Sequence, residues 1–218
     1  MFDDYGIQRP YGTRGMRFSS EEKKHILFAV GILTLAFAIV MTPVAEGQLG
    51  MDMVNAFLYS LGLSFVVIVA GFLFHELAHK FMAQKYGAWA EFRAYPIGLL
   101  IALVFAFLGF LFAAPGAVHI SGRISKKQNG LISISGPATN LAVGAVFLAS
   151  WVVIPAGDIV SFSLRWIGTL SLILAAFNLL PVPPLDGHKV LKWNPVVYVA
   201  VFGVTVFLAL LGWGIISF

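Results

Sequence analysis

The sequence has no cysteine and few charged residues, and both absences restrict what the protein can be. Without cysteine there is no disulfide and no thiolate ligand, so any bound metal must be held by nitrogen and oxygen donors. Charged residues make up 11% of the 218-residue chain, against about 25% in soluble domains, and the mean hydropathy is +0.90. A soluble globular fold is therefore excluded, and the composition is that of an integral membrane protein.

The first 25 residues contain no apolar stretch of the kind that a signal peptide requires. We expect residues 1–25 to form a cytoplasmic tail or a surface strand, and the first apolar run to act as the insertion signal. The net charge of +4 comes from basic residues that flank apolar runs instead of forming a soluble basic patch, which argues against nucleic-acid binding.

Five apolar runs of about 20 residues are long enough to cross a hydrocarbon core of roughly 30 Å. They lie near residues 26–44, 57–79, 131–154, 164–180 and 196–218. No internal repeat or soluble insertion is visible, so we expect one domain over residues 1–218. The predicted fold class is an all-α polytopic membrane protein with five to six transmembrane helices and a small re-entrant β element at the membrane.

The re-entrant element is predicted at residues 88–116, around a sixth apolar run at 97–114. Pro96 and Pro115 bound that run and Gly109 interrupts it, which favours a chain that turns back. Ahead of it, residues 88–95 partly alternate polar and apolar side chains and indicate a strand. We expect a small sheet or hairpin that dips into the bilayer and lines the active site. The alternative is an ordinary sixth transmembrane helix.

The distribution of Lys and Arg separates these two topologies, because positive charge near the ends of spans stays on the cytoplasmic side. If residues 97–114 return to the face they left, 13 of the 14 basic residues are cytoplasmic and only Arg165 lies outside. If they span, the division becomes nine to five. The re-entrant topology is favoured, with the amino terminus in the cytoplasm.

The second apolar run contains the sequence His75-Glu76-Leu77-Ala78-His79. Helical residues four apart lie on one face, so the two histidines can share a metal ion with Glu76 beside them. Two such ligands and a base are the core of a zinc hydrolase site, and ionisable groups inside a membrane are usually functional. The alternative is that these side chains only form hydrogen bonds between helices.

A second polar segment, residues 178–187, closes the fourth apolar run and ends in Asp186-Gly187. Its three prolines break the helix and leave an acid at the membrane border. In the re-entrant topology the second and fourth spans run in the same direction, so Asp186 and the histidine pair reach the same face. Asp186 is then the expected third ligand, although Asp before Gly is by itself typical of a turn.

The two segments together resemble the site-2 protease family of intramembrane zinc metalloproteases, whose pattern is HExxH followed by NxxPxPxLDG. Residues 75–79 and 178–187 match both motifs in full, and residues 136–140 look like a further motif of the family. The resemblance implies one zinc ion per chain, and a membrane-embedded β-hairpin to which substrates add a strand. Its implied site residues are His75, His79 and Asp186 as ligands, Glu76 as catalytic base and Asn178 as the holder of substrate or oxyanion.

The expected function is zinc-dependent endopeptidase cleavage in or near the transmembrane helix of a membrane-protein substrate, close to the cytoplasmic face. The expected partners are that substrate and the lipid bilayer, and the oligomeric state is left open. A metal or ion transporter and a non-catalytic membrane scaffold are the alternatives. Transporters commonly have repeated halves, which are not visible here, and the intact Glu76 argues against a scaffold. Asn140 is either a polar group of the active site or an interhelical hydrogen-bonding residue.

Overall fold

The computed structural model of the protein describes residues 16–111, 113–154 and 157–215. Within these ranges five helical segments are long and apolar enough to cross a membrane, which confirms the predicted fold class. They are α1 (Ser20–Leu49), a composite second segment (Met53–Lys85), α5 (Lys126–Val153), α6 (Asp158–Asn178) and α8 (Pro195–Trp213). A short helix, α7 (Asp186–Trp193), connects the last two.

The second segment contains a change of helical pitch just before the histidine motif. It consists of α2 (Met53–Val67), a π-helical turn (Ile68–Leu73) and α3 (Phe74–Lys85). A π turn takes one more residue per hydrogen bond than an α turn, so it changes the direction in which the following side chains point, and such turns are frequent at functional sites. The histidine motif begins in the first turn of α3.

The predicted re-entrant element is a helix held between two strands. Strands β1 (Trp89–Ala94) and β2 (Gly116–Ser121) pair antiparallel, and α4 (Pro96–Phe107) lies between them. At the open end of the sheet Tyr95 N–H donates to the Pro115 carbonyl at 2.9 Å, so the chain returns to the point that it left.

The sixth apolar run therefore does not cross the bundle, and the alternative of an ordinary sixth transmembrane helix is wrong. At about 1.5 Å per residue the 12 residues of α4 extend about 18 Å, well short of a bilayer core. The expected small sheet is confirmed, because β1 and β2 pair antiparallel, but the part between the strands is helical. Its apolar residues do not alternate with polar ones, and the helix stops where Gly109 adopts a left-handed φ of +84°.

Helix α1 begins inside the segment that the sequence predicts as a tail. Ser19 caps the helix by accepting a hydrogen bond from Glu22 N–H, and residues 20–25 are helical. The predicted tail thus ends at residue 19, and residues 1–15 of it lie outside the described residues.

Glu22 and Lys80 form a fully buried ion pair that joins α1, α3 and the sheet. Neither residue is exposed to solvent, and Lys80 Nζ lies 2.6 Å from Glu22 Oε1. The pair also binds the backbone of β1, because Lys80 donates to the Ala90 carbonyl at 3.1 Å and Phe92 N–H donates to Glu22 Oε1 at 2.9 Å. Both charges are therefore compensated, which a buried pair needs if it is not to destabilise the fold.

Helix α5 lies between α3 and α6 and also contacts α7. Small residues allow this close packing, as a Cβ on Gly144 would overlap the side chain of Leu172 on α6. The arrangement brings the carboxyl end of α6 next to α3, so that the two polar segments recognised in the sequence come together.

Candidate active site

His75, His79 and Asp186 converge on one point, and each offers a ligand atom within 4.8 Å of the others. The two histidine Nε2 atoms are 3.0 Å apart, and Asp186 Oδ2 lies 3.4 Å from His75 Nε2 and 3.0 Å from His79 Nε2. Both histidines are buried, and the Asp186 side chain is 12% exposed. The structure thus brings together the three residues that the sequence predicts as ligands.

The protonation pattern of this cluster fits a cation. His79 Nδ1–H donates to the Ile132 carbonyl at 2.8 Å, so in the neutral ring Nε2 carries a lone pair. That lone pair faces Asp186 Oδ2 at 3.0 Å, and two acceptors at this distance repel each other unless a proton or a metal ion lies between them. Tetrahedral zinc ligands at 2.0–2.1 Å from the metal lie about 3.3 Å from one another, which matches the separations of 3.0–3.4 Å.

Gly136 on α5 provides the space for the two imidazole rings. A Cβ at this position would overlap Nε2 of both His75 and His79. The backbone of α5 therefore lies directly against the candidate metal site, and only glycine fits there.

Asp186 is positioned by the irregular segment between α6 and α7. Residues 179–185 contain three prolines and form no regular element, and α7 begins at Asp186 itself. Gly187 allows α7 to start close to the preceding chain, because a Cβ there would overlap the Leu179 carbonyl. The Asp-Gly pair thus does more than form a turn: the glycine permits the approach that delivers the carboxylate.

The charge of Asp186 is stabilised by its neighbours. Burial raises the pKa of Asp186, but when His75 and His79 are protonated their hydrogen bonds and their charges together outweigh burial and hold that pKa well below its usual range. The second carboxylate oxygen, Oδ1, lies 3.6 Å from Nζ of Lys189 one turn along α7. Asp186 is therefore ionised, as a metal ligand must be.

Glu76 follows His75 on α3 and points toward the sheet instead of into the ligand cluster. Its Oε2 accepts a hydrogen bond from Val118 N–H of β2 at 3.0 Å. Within the described part of the chain its Oε1 has no hydrogen-bonding partner, so one carboxylate oxygen is held and the other is available. A partly exposed carboxylate of this kind can accept a proton.

A cavity of about 140 Å³ connects these groups. Its polar lining comes from His75, Glu76, Asn140 and Asn178, and its apolar lining includes residues of α1, the π turn and the start of β2. The side-chain amide of Asn178 donates to the Leu174 carbonyl of its own helix at 2.9 Å, so part of its hydrogen-bonding capacity is already used.

Several contacts of this site leave no recognisable signal in the sequence. The Ile132 carbonyl and Val118 N–H are backbone groups that any residue type supplies. Gly136 belongs to a segment that was recognised as similar to a family motif, but its contact with both histidines is visible only in three dimensions.

Two histidines and an aspartate that can hold one metal ion, with a glutamate beside them, are the donor set and base of a zinc metalloprotease site. The model of peptidase family M50 matches residues 154–194. The chain belongs to this family, the site-2 protease family of zinc metalloproteases.

The curated relatives support that assignment over a larger part of the chain. A candidate zinc metalloprotease of Methanocaldococcus jannaschii, MJ0611, is 43% identical over 145 residues, which are 64% of this chain and 74% of that protein. YwhC of Bacillus subtilis, named likewise, is 32% identical over 58% of this chain and 66% of its own length. Rip2 of Mycolicibacterium smegmatis is 27% identical over 74% of this chain and 69% of its own length. No solved structure matches the chain.

Proposed function

We propose that the protein is an intramembrane endopeptidase that hydrolyses a peptide bond in or near the transmembrane helix of a membrane-protein substrate, as in regulated intramembrane proteolysis. The observation that carries the proposal is the convergence of His75, His79 and Asp186 in a bundle of apolar helices, next to a cavity that His75 and Glu76 line. A site of this kind at membrane depth suits a substrate that is itself in the bilayer.

In this proposal His75 and His79 hold one zinc ion through Nε2, and Asp186 holds it through Oδ2. When bound, zinc supplies Lewis-acid activation of water and of a carbonyl group. The chain supplies the rest of the chemistry. His79 keeps its ligating nitrogen free of a proton because Nδ1–H is fixed on the Ile132 carbonyl, and Lys189 lies close to the outer oxygen of Asp186.

Glu76 acts as the general base, which takes the proton of the attacking water and returns it to the leaving amine. Val118 N–H binds one oxygen of Glu76 and so sets the orientation of the other. Asn178, at the end of α6 and in the lining of the cavity, is proposed to hold the substrate or the developing oxyanion with the N–H that Leu174 leaves free.

The free edge of the sheet suits an unwound substrate. The outer backbone groups of β1 are bonded to side chains of Glu22, His25, Lys80 and Gln84. Val118 N–H, by contrast, points away from β1 toward Glu76, so the outer edge of β2 faces the catalytic base. A substrate strand added to β2 would pair with outer backbone groups of β2 other than Val118 N–H, and its peptide bonds would be accessible next to Glu76.

The test of the metal site is the loss of zinc on substitution of Asp186→Ala. We expect purified wild-type protein to contain about one zinc per chain. Loss of a residue that only hydrogen-bonds to a metal ligand weakens metal binding by roughly 10–100-fold. Because Asp186→Ala removes a ligand itself, we expect its zinc affinity to fall by at least that factor. Elemental analysis after dialysis against a graded chelator measures this. Wild-type protein stripped of metal should lose cleavage of a reconstituted single-span substrate and regain it on addition of zinc.

The matched control is Asp158→Ala, which removes an exposed carboxylate at the opposite end of α6. We expect this variant to keep its zinc. Full zinc occupancy in the Asp186→Ala protein at every chelator concentration would contradict the ligand assignment.

The active site and the amino terminus are proposed to face the cytoplasm, on the strength of the charge distribution. The absence of native cysteine makes labelling of single introduced cysteines unambiguous. We expect Ser121→Cys, exposed at the end of β2, to react with a membrane-impermeant maleimide only after the cells are opened. Glu46→Cys, exposed in the last turn of α1, should react in intact cells, and labelling of Ser121→Cys from outside would refute the orientation.

A further inference from the structure

Asn140 is a buried amide whose hydrogen-bonding groups are all unused. It lies on α5 and is 1% exposed. Within the described part of the chain neither its Oδ1 nor its Nδ2 has a hydrogen-bonding partner. The interhelical hydrogen bond that was one of the two interpretations of Asn140 is therefore not formed among the described residues. The presence of a polar side chain at this buried position needs another explanation.

The position of Asn140 connects it to the active site. Residues 136 and 140 are one helical turn apart on the same face of α5, and Gly136 lies against both histidines. Asn140 lines the same cavity as His75 and Glu76. Along the axis of α5 it lies about 6 Å beyond Gly136. Since α5 starts at the end of the bundle that carries the three candidate zinc ligands, Asn140 lies on the side of the site nearer the middle of the bundle.

An unused amide at this depth is costly. A buried polar group without a partner destabilises a protein by about 1–3 kcal/mol, and a leucine of similar size would avoid that cost. Glu76 binds Val118 N–H, Asn178 donates to Leu174, and His75 Nε2 faces Asp186, although His75 Nδ1 has no partner among the described residues. Asn140 is thus the amide whose full capacity remains for a ligand.

We propose that Asn140 binds the backbone of the unwound substrate, donating from Nδ2 to a carbonyl and accepting an N–H at Oδ1. This inference rests on the endopeptidase function proposed above. It assigns to the side chain a contact with the substrate on the side of the scissile bond nearer the bilayer centre.

Such a contact is needed because only one edge of an extended substrate can pair with β2. An extended peptide has N–H and C=O groups along both edges, and β2 can pair with only one of them. In the bilayer the groups on the other edge have no water to bind, so the protein must satisfy them. The cavity lies between the start of β2, at Gly116, and Asn140 on α5, which puts an amide opposite the strand. A carboxamide has one acceptor and two donors, which matches the two kinds of group in a peptide bond.

The experiment measures substrate affinity without turnover. In the Glu76→Gln background, a fluorescent single-span substrate is titrated in vesicles against protein with Asn140 and against protein with Asn140→Leu. We expect the leucine variant to bind about tenfold more weakly, as expected from the loss of one or two buried hydrogen bonds. Zinc content and melting temperature should not fall, since the variant replaces an unpartnered polar group by an apolar one. Asn140→Ala, which adds no volume, should weaken binding in the same way.

The matched control is Thr169→Val, which also removes a buried hydroxyl that has no partner among the described residues but lies outside this cavity. We expect it to leave substrate affinity unchanged. A substrate series in which single peptide bonds are replaced by esters locates the contact. One ester should weaken binding to the protein with Asn140 and have no further effect in Asn140→Leu, because both changes remove the same hydrogen bond.

The outcomes separate this inference from the function on which it rests. If wild-type protein with zinc cleaves no membrane substrate, the proposed function fails. If the wild type cleaves and both Asn140 variants bind substrate as tightly as the parent, only the role of Asn140 is overturned. Loss of zinc or a lower melting temperature in both Asn140 variants would show a structural role and would also overturn the inference.

Discussion

Substitution of Glu76→Gln is expected to abolish cleavage while the protein keeps its zinc. The glutamine has nearly the same shape, and its carbonyl can still accept the hydrogen bond from Val118 N–H. It cannot take a proton, however, so the general-base contribution of roughly 10²–10⁴ to the rate is lost. Turnover of a reconstituted substrate and elemental analysis of the same sample measure the two quantities.

The control for this substitution is Glu46→Gln, which changes an exposed carboxylate in the last turn of α1. We expect wild-type cleavage from it. Unchanged cleavage by the Glu76→Gln protein would exclude Glu76 as the base. Zinc movement into vesicles by the wild type, without any cleavage, would instead favour the transporter alternative.

A single methyl group at Gly136 is expected to disable the metal site. The Cβ of Gly136→Ala would overlap Nε2 of both His75 and His79. His79 cannot retreat without breaking the 2.8 Å hydrogen bond to the Ile132 carbonyl, so the rings must shift out of the ligand arrangement or α5 must move away. A displacement of about 1 Å in such a site can reduce the rate by about 10²-fold, and zinc affinity should fall with it.

A loss of the site in Gly136→Ala could not be caused by a weaker intrinsic preference of the new residue for the helix. Alanine favours a helix over glycine by about 1 kcal/mol, so the variant gains intrinsic helix stability where it loses the site. Gly203→Ala on α8, where a Cβ meets nothing within 4 Å, is the control for the methyl group and should keep zinc and activity. Gly144→Ala, whose Cβ meets Leu172, controls for helix packing and should lower the melting temperature without a selective loss of metal. Full zinc content in Gly136→Ala would contradict the packing described here.

Two sequence motifs, residues 75–79 and 178–187, predicted which residues form the site. The predicted membrane topology indicated that the two motifs lie at the same face of the membrane. The charge distribution favoured a return of residues 97–114, and that return makes the second and fourth spans run in the same direction, so that Asp186 can lie beside His75 and His79. In the structure their ligand atoms are within 4.8 Å of one another. This part of the fold was predictable because helix periodicity, span length and charge asymmetry are properties of the sequence itself.

The rest depended on backbone geometry. The helical form of α4 could not be separated from a hairpin, because an apolar run flanked by a proline on each side suits both. The buried Glu22 was assigned to a tail, since charged residues near an amino terminus are usually exposed and its partner Lys80 is 58 residues away. The unused amide of Asn140 could be found only by accounting for every neighbouring donor and acceptor.

The Glu22–Lys80 pair also has a consequence for the order in which we expect the chain to assemble. Glu22 is synthesised 58 residues before Lys80, and an unpaired carboxylate in that buried position would cost several kcal/mol. While Glu22 is ionised, we therefore expect the first turn of α1 to remain hydrated until the second segment has been inserted and α3 brings the Lys80 ammonium group next to it. Only then can β1 bind to the completed pair through Ala90 and Phe92. The outer edge of β1 is then covered at the same step in which the ion pair forms. Until α3 is in place, we expect the first turn of α1 in the nascent chain to stay in contact with water.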